Sequence, residues 1–106
     1  MRLHEAAERK WRNRCPCCDR VMSQHPPKKG RPTPSTHKTR GHVASVARGN
    51  DPRHWFWQCH KCNNEMGWLS ISAWARMLIL ANDPRAELVA AMAQFFHDWR
   101  RGRRAA

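Results

Sequence analysis

Five cysteines, four of them in two C-x2-C pairs, constrain this 106-residue chain more than any other feature. Cys15 and Cys18 form one pair and Cys59 and Cys62 the other, with residues 19–58 between them. A two-residue spacer lets both sulfurs of a turn point at one ion, and two such turns complete the tetrahedron that Zn2+ prefers. Four thiolates leave no open coordination position, so the zinc expected here holds structure and does no chemistry. Disulfides are the competing use of these thiols, and a reducing compartment disfavours them. Met1-Arg2-Leu3-His4-Glu5 holds no apolar run that would read as a secretory signal, so the chain is expected in the cytosol, the nucleoid or the nucleus. Cys17 is left over and reads as a spare thiol beside the site.

The length suits a single domain over 1–106, divided into a zinc-bound core (14–68), a helical extension (69–100) and a basic tail (101–106). Lys and Arg number 20 against 8 Asp and Glu, a formal charge of +12. Such a balance favours a polyanion, because binding releases counterions condensed on phosphates. An anionic membrane is the rival partner. Membrane-surface helices place their Lys and Arg along one polar face, whereas here they are spread through a Pro-rich loop and the C-terminal tail. The most apolar stretch, Trp68 to Ala81, contains Arg76 and is shorter than the roughly twenty residues a spanning helix needs. Nucleic acid, and DNA in particular, is the expected partner.

Along the chain, good helix formers with Leu3, Ala7 and Trp11 at apolar positions predict a helix over Leu3 to Asn13. Residues 23–41 hold four prolines and several Lys and Arg, and read as an exposed basic loop. His42 to Ala47 suits a short strand, Arg48 to Pro52 a turn, and His54 to Gln58 an aromatic strand with Trp55 and Trp57 on one face and Phe56 on the other. Asn63 to Met66 reads as a short helix closed by Gly67. A third helix is expected from Ser70 or Ser72 to Asn82. The last starts with Asp83 as N-cap and Pro84 at the first position. The fold class is α+β.

The ordered pieces Cys15-x2-Cys18, Gly41-His42-Val43, Ala47-Arg48-Gly49, His54-x4-Cys59-x2-Cys62-Asn63 and Gly67 resemble the zinc-bearing HNH nucleases, the ββα-metal or His-Me finger family. The likeness covers residues 15 to about 86. It implies a small zinc-stabilised ββα-metal core with an N-terminal helix and two C-terminal helices. It also implies hydrolysis of DNA phosphodiester bonds with a divalent ion such as Mg2+, Mn2+ or Ni2+. On that resemblance His42 is the general base, Asn63 a metal ligand through its amide oxygen, and His54 either orients the base loop or touches the metal. Gly41 stands where the family has a metal-ligating Asp. Two readings follow: an active endonuclease or nickase, and a DNA-binding or accessory protein that keeps the fold without turnover.

Lys28, Lys29, Arg31, Lys38, Arg40 and Arg48 are the candidate phosphate contacts, with Arg100, Arg101, Arg103 and Arg104 adding nonspecific affinity. Trp74 and Trp99 are expected in the core, and His4, His25, His60 and His97 on the solvated surface. Met77-Leu78-Ile79-Leu80 is broader than one helix face. Burial within the monomer explains it, and so does a dimer or a protein partner docked on the 71–81 helix.

Overall fold

The computed structural model describes residues 1–24 and 28–105, with side chains as far as Gly102. Among the described residues, four helices accompany one two-stranded antiparallel sheet: α1 (Leu3–Trp11), β1 (Lys38–His42), β2 (Trp55–Cys59), α2 (His60–Met66), α3 (Ile71–Leu80) and α4 (Ala86–Ala105). A single 3-10 turn, Val46–Arg48, lies in the β1–β2 connection.

The sheet carries one apolar face and one mixed face, and its register decides which residue goes where. Gly41 pairs with Phe56 and Thr39 with Gln58, while Lys38, Arg40 and His42 pair with Cys59, Trp57 and Trp55. Directly paired residues of an antiparallel ladder point to the same side. Phe56 and Gln58 are fully buried, and Gln58 reaches Met66 of α2. Trp55 and Trp57 stay half-buried beside α1, edge to face with ring centroids 4.9 Å apart. The expected division of the aromatic strand holds.

Buried Leu3, Phe56, Met66, Ile71, Trp74, Leu78, Val89, Met92 and Phe96 form one core that joins the sheet to the α3–α4 pair, and Cys15, Cys17, Cys59 and Cys62 belong to the same cluster. Trp99 is half-buried against it, and its indole N–H donates to the Met1 carbonyl at 3.0 Å. Trp74 is buried as expected.

Several boundaries differ from expectation. β1 lies inside the segment read as a basic loop, and the strand expected over 42–47 ends at His42. The prolines stop at Pro34. From Lys38 onward nothing prevents pairing, and a two-stranded sheet has only edges, where Lys and Arg are tolerated. After Val43, whose N–H still donates to the His54 carbonyl, the Ser45 carbonyl collects Arg48 N, Asn50 N and Asn50 Nδ2. That local network bends the chain into the 3-10 turn. Helix α1 stops at Trp11 rather than Asn13, because Arg12 takes φ 56°. Helix α2 begins at His60 rather than Asn63, because Cys59 acts as its N-cap with Sγ accepting from Cys62 N at 3.4 Å.

Ser70 caps α3 through Ala73 N. Helix α4 begins at Ala86 rather than at Pro84, since the Asp83 carboxylate accepts from Arg85 N and closes a turn of its own. It then continues to Ala105, so the expected tail is helical. His4 is not a solvated surface residue: α1 lays it on Trp55, ring centroids 4.1 Å apart and planes 8° from parallel. His97 is exposed and His60 half-buried, while His25 lies outside the described residues. In α3, Leu78 is buried, but Met77, Ile79 and Leu80 are exposed.

Candidate metal centre and the cationic face of the hairpin

The two cysteine pairs meet. Cys15 and Cys18 come from the turn after α1, Cys59 from the end of β2 and Cys62 from the first turn of α2, and their four Sγ atoms all lie within 4.8 Å of one another. A tetrahedron of Zn–S bonds near 2.3 Å has S···S edges of about 3.8 Å. The Cys18 and Cys59 sulfurs are 3.7 Å apart. The quartet is positioned to hold a metal ion and is compatible with a structural zinc.

Hydrogen bonds from Cys17, Cys59 and Cys62 hold the Cys15 thiol far below its ordinary value, while Cys15 in turn pushes Cys59 and Cys62 up. One thiolate is stabilised at the expense of its neighbours, because four negative sulfurs cannot share a dry pocket without a cation. A divalent ion held by all four thiolates would relieve that conflict and would supply a cross-link with no open coordination position.

Two arginines that spacing did not flag complete the centre. Arg20 reaches Cys18 Sγ with Nε at 3.4 Å and Cys59 Sγ with a terminal nitrogen at 3.5 Å. Arg85 reaches Cys62 Sγ at 3.7 Å and also pairs with Glu65 and Asp83. Four thiolates around a divalent ion carry a charge of −2, and these two guanidiniums offset it. The thiolates and carboxylates raise both arginines above their usual range. Arg20 follows Cys18 by two residues, a signal a reader could have used. Arg85 lies 23 positions beyond Cys62 and gives none. Cys17, fully buried, accepts from Gln58 Nε2 at 3.4 Å, and its contact with Cys15 keeps it a neutral thiol.

The histidines and Asn63 are not gathered in the same way. His42 lies on the Trp55 face of the hairpin. Asn63 sits on α2 and donates through Nδ2 to Thr39 Oγ1 (3.1 Å) and to the Arg40 carbonyl (3.3 Å). Thr39 alternates with His42 along β1 and belongs to the other face of the ladder. His54 turns toward α4, with ring centroids 5.3 Å from Phe96 and 5.6 Å from Trp99, and its Nε2 is 3.8 Å from Asp51.

Gly41 has a local reason to be glycine. A Cβ there would lie 2.0 Å from Gln58 Oε1, 2.9 Å from its Cδ and 3.0 Å from its Cβ. The buried Gln58 side chain fills the space that any side chain at this position would need. Its Oε1 finds no hydrogen-bond partner among the described residues.

The basic candidates separate into three groups. Lys38 and Arg40 lie over the tryptophans of the facing strand: Lys38 Nζ is 4.5 Å from the Trp57 ring centre, and the Arg40 guanidinium carbon is 4.6 Å from that of Trp55. Lys28, Lys29 and Arg31 stand exposed on a turn outside the hairpin, where Arg31 N donates to the Lys28 carbonyl. Arg48 is exposed in the 3-10 turn. Among the described residues no helix is long and apolar enough to cross a membrane.

No protein-family model matches the chain, and no curated protein and no solved structure is significantly similar to it.

Proposed function

We propose that the chain is a zinc-stapled nucleic-acid-binding module related to the HNH nucleases, and that it binds DNA on one face of its hairpin without cleaving it. One observation carries the binding reading. Lys38, Arg40 and His42 alternate onto a single face of β1 and lie across the ladder from the half-buried rings of Trp57 and Trp55. Arg40, exposed over Trp55, gives phosphate attraction from this face, while Lys38 over Trp57 also lies 3.9 Å from the Glu8 carboxylate of α1. The net charge of +12 supplies long-range attraction of the same sign.

The order β1, β2, α2, with Cys59-x2-Cys62-Asn63 entering the helix, is what supports the HNH relation. The hydrolytic alternative needs His42 and Asn63 to serve one phosphodiester. Their placement on opposite faces, and Gln58 in the space beside Gly41, favour binding over cleavage.

The test combines affinity and cleavage. Fluorescence anisotropy with duplex DNA should show affinity falling steeply with salt, and Arg40→Ala should flatten that dependence by about one unit of log–log slope, roughly 0.9 per lost phosphate contact. Supercoiled plasmid with Mg2+, Mn2+ or Ni2+ should stay uncut by wild type and by His42→Ala alike. Metal-dependent nicking that His42→Ala abolishes would replace this reading with the endonuclease, and salt-independent or absent binding would remove both.

A further inference from the structure

We propose that a second copy of this chain docks on the outer face of α3, across a two-fold axis that sets Arg76 of each chain beside Glu87 of the other. The inference goes beyond the nucleic-acid reading and does not depend on it.

The face follows from the helical period. Ile71, Trp74, Ala75 and Leu78 turn one side of α3 into the core. At about 100° per residue, Ile79, Arg76, Leu80 and Met77 follow one another across the other side. Leu80 is 88% exposed, Ile79 58% and Met77 55%, and Arg76 is exposed among them. Single apolar residues on a surface are ordinary, whereas three large ones gathered on one helix face mark an interaction surface.

Charge selects the occupant. Residues 66–96 hold Arg76, Arg85, Asp83 and Glu87 as their only charged groups, so the net charge of +12 lies wholly outside this segment. Two copies of so basic a chain repel each other, and this segment is where the repulsion is least. Arg85 is engaged by Asp83 and Glu65. Arg76 and Glu87 are both exposed and form no ion pair among the described residues. A surface that carries one unpaired cation and one unpaired anion is matched by its own copy, because a two-fold axis brings each charge to its opposite and makes the pair twice.

Shape agrees with charge. A groove of about 410 Å3 lies beside this face, lined by Ile79, Asn82, Asp83, Pro84, Ala86 and Glu87. Leu80 stands clear of its own chain and is the knob; the groove of the other copy is the hole. Arg76 lies one turn before Leu80, so seating Leu80 in the groove carries Arg76 to the rim where Glu87 stands. The exchange is reciprocal, as a closed dimer requires.

Sedimentation equilibrium of the zinc-loaded full chain, without nucleic acid and over a concentration series, reads the mass against the 12.4 kDa of one chain. The proposal expects a concentration-dependent rise to twice that mass and no further. Leu80→Glu should weaken association by about tenfold or more, with circular dichroism and zinc content matching wild type. Arg76→Glu and Glu87→Arg each set like charges together at both pairs, and each should weaken association by about tenfold. Mixing these two variants should restore it, since both pairs of the mixed dimer are again opposite in sign. Only pairing between chains gives that rescue. A monomer at every concentration would overturn the proposal and leave the nucleic-acid reading untouched. So would a dimer that Leu80→Glu leaves intact, or one that tolerates both charge reversals and gains nothing on mixing. Masses that grow beyond the dimer would overturn it as well, by showing a contact that does not close.

Discussion

Replacing Gly41 by Ala adds one methyl group and should cost far more than that methyl suggests. The new Cβ would fall 2.0 Å from Gln58 Oε1 and 2.9 Å from Cδ, so the Gln58 side chain must leave its place. Overpacking of this kind costs about 1–3 kcal/mol. Losing the Gln58 Nε2–Cys17 hydrogen bond adds about 1 kcal/mol, for a total of about 2–4 kcal/mol. Gln58→Ala alone should be mild. It gives up buried methylenes worth about 0.8 kcal/mol each but also removes a buried, unpartnered Oε1, whose burial costs about 1–3 kcal/mol.

In the double variant only the 3.0 Å approach to the residual Cβ remains. Its cost should therefore fall short of the sum by about 1–3 kcal/mol. Urea denaturation at one fixed zinc concentration measures all four corners of the cycle, since bound metal stabilises by mass action and must be held constant. Additivity within about 0.5 kcal/mol would refute the reasoning. The same geometry means that Gly41→Asp should destabilise more than Gly41→Ala, because it also places a charge beside buried Gln58.

Other outcomes follow from the metal centre. Arg85→Gln should raise the rate or extent of zinc loss to a chromophoric chelator by about tenfold, the low end of what outer-shell partners contribute. Arg20→Gln should do so by a few-fold, because Arg20 lies closer to water; no change in either would remove the counter-charge argument. On acidification the thiolates protonate and metal leaves, so zinc affinity falls with pH. Asp83 behaves differently: Arg85 holds it at about 2, below the ordinary 3.8, so its stabilising ion pair is fully present above 3.8 and is lost only as pH falls through about 2. An acid titration followed by a zinc indicator and by helical circular dichroism should show metal leaving before this ion pair breaks. Retention of zinc down to pH near 2 would contradict it.

How much of this was legible in the sequence depends on how local each cause is. The cysteine quartet was readable because ligand spacing is a property of two tight turns, each complete within four residues. The aromatic strand was readable because three large rings in alternation suit a half-buried ladder. β1 was hidden because the prolines of residues 23–34 dominate the composition of a segment whose last residues have none. What pairs Lys38–His42 with Trp55–Cys59 is the register across the hairpin, which no short window contains.

The face of His42 was lost with it. Side chains alternate with a period of two, so misplacing a strand obscures which residues it gathers. Read as the start of a strand, His42 has no partner to fix its face; as the end of one, it pairs with Trp55 and shares the face of Lys38 and Arg40. The Gly41–Gln58 contact is a packing relation between two strands and has no signature in either. Likewise Pro84 carries a sound local start signal, but Asp83 and Arg85 are engaged by the metal centre, and α4 begins two residues later.

The central claim is that one ion joins the turn at Cys15 and Cys18 to the turn at Cys59 and Cys62 and thereby holds the hairpin against α1. Closing a loop of about 40 residues is worth about 4 kcal/mol on the chain-entropy relation for cross-links, a large share of the stability of a small domain. Native mass spectrometry of the zinc-loaded chain, run beside Cys18→Ser and beside wild type held in strong chelator with circular dichroism on the same samples, tests this most directly. The account predicts one zinc per wild-type chain, weakened retention in Cys18→Ser, and loss of cooperative structure when the metal is removed. A chain that carries no zinc, or that keeps its full spectrum and melting transition in chelator, would contradict it.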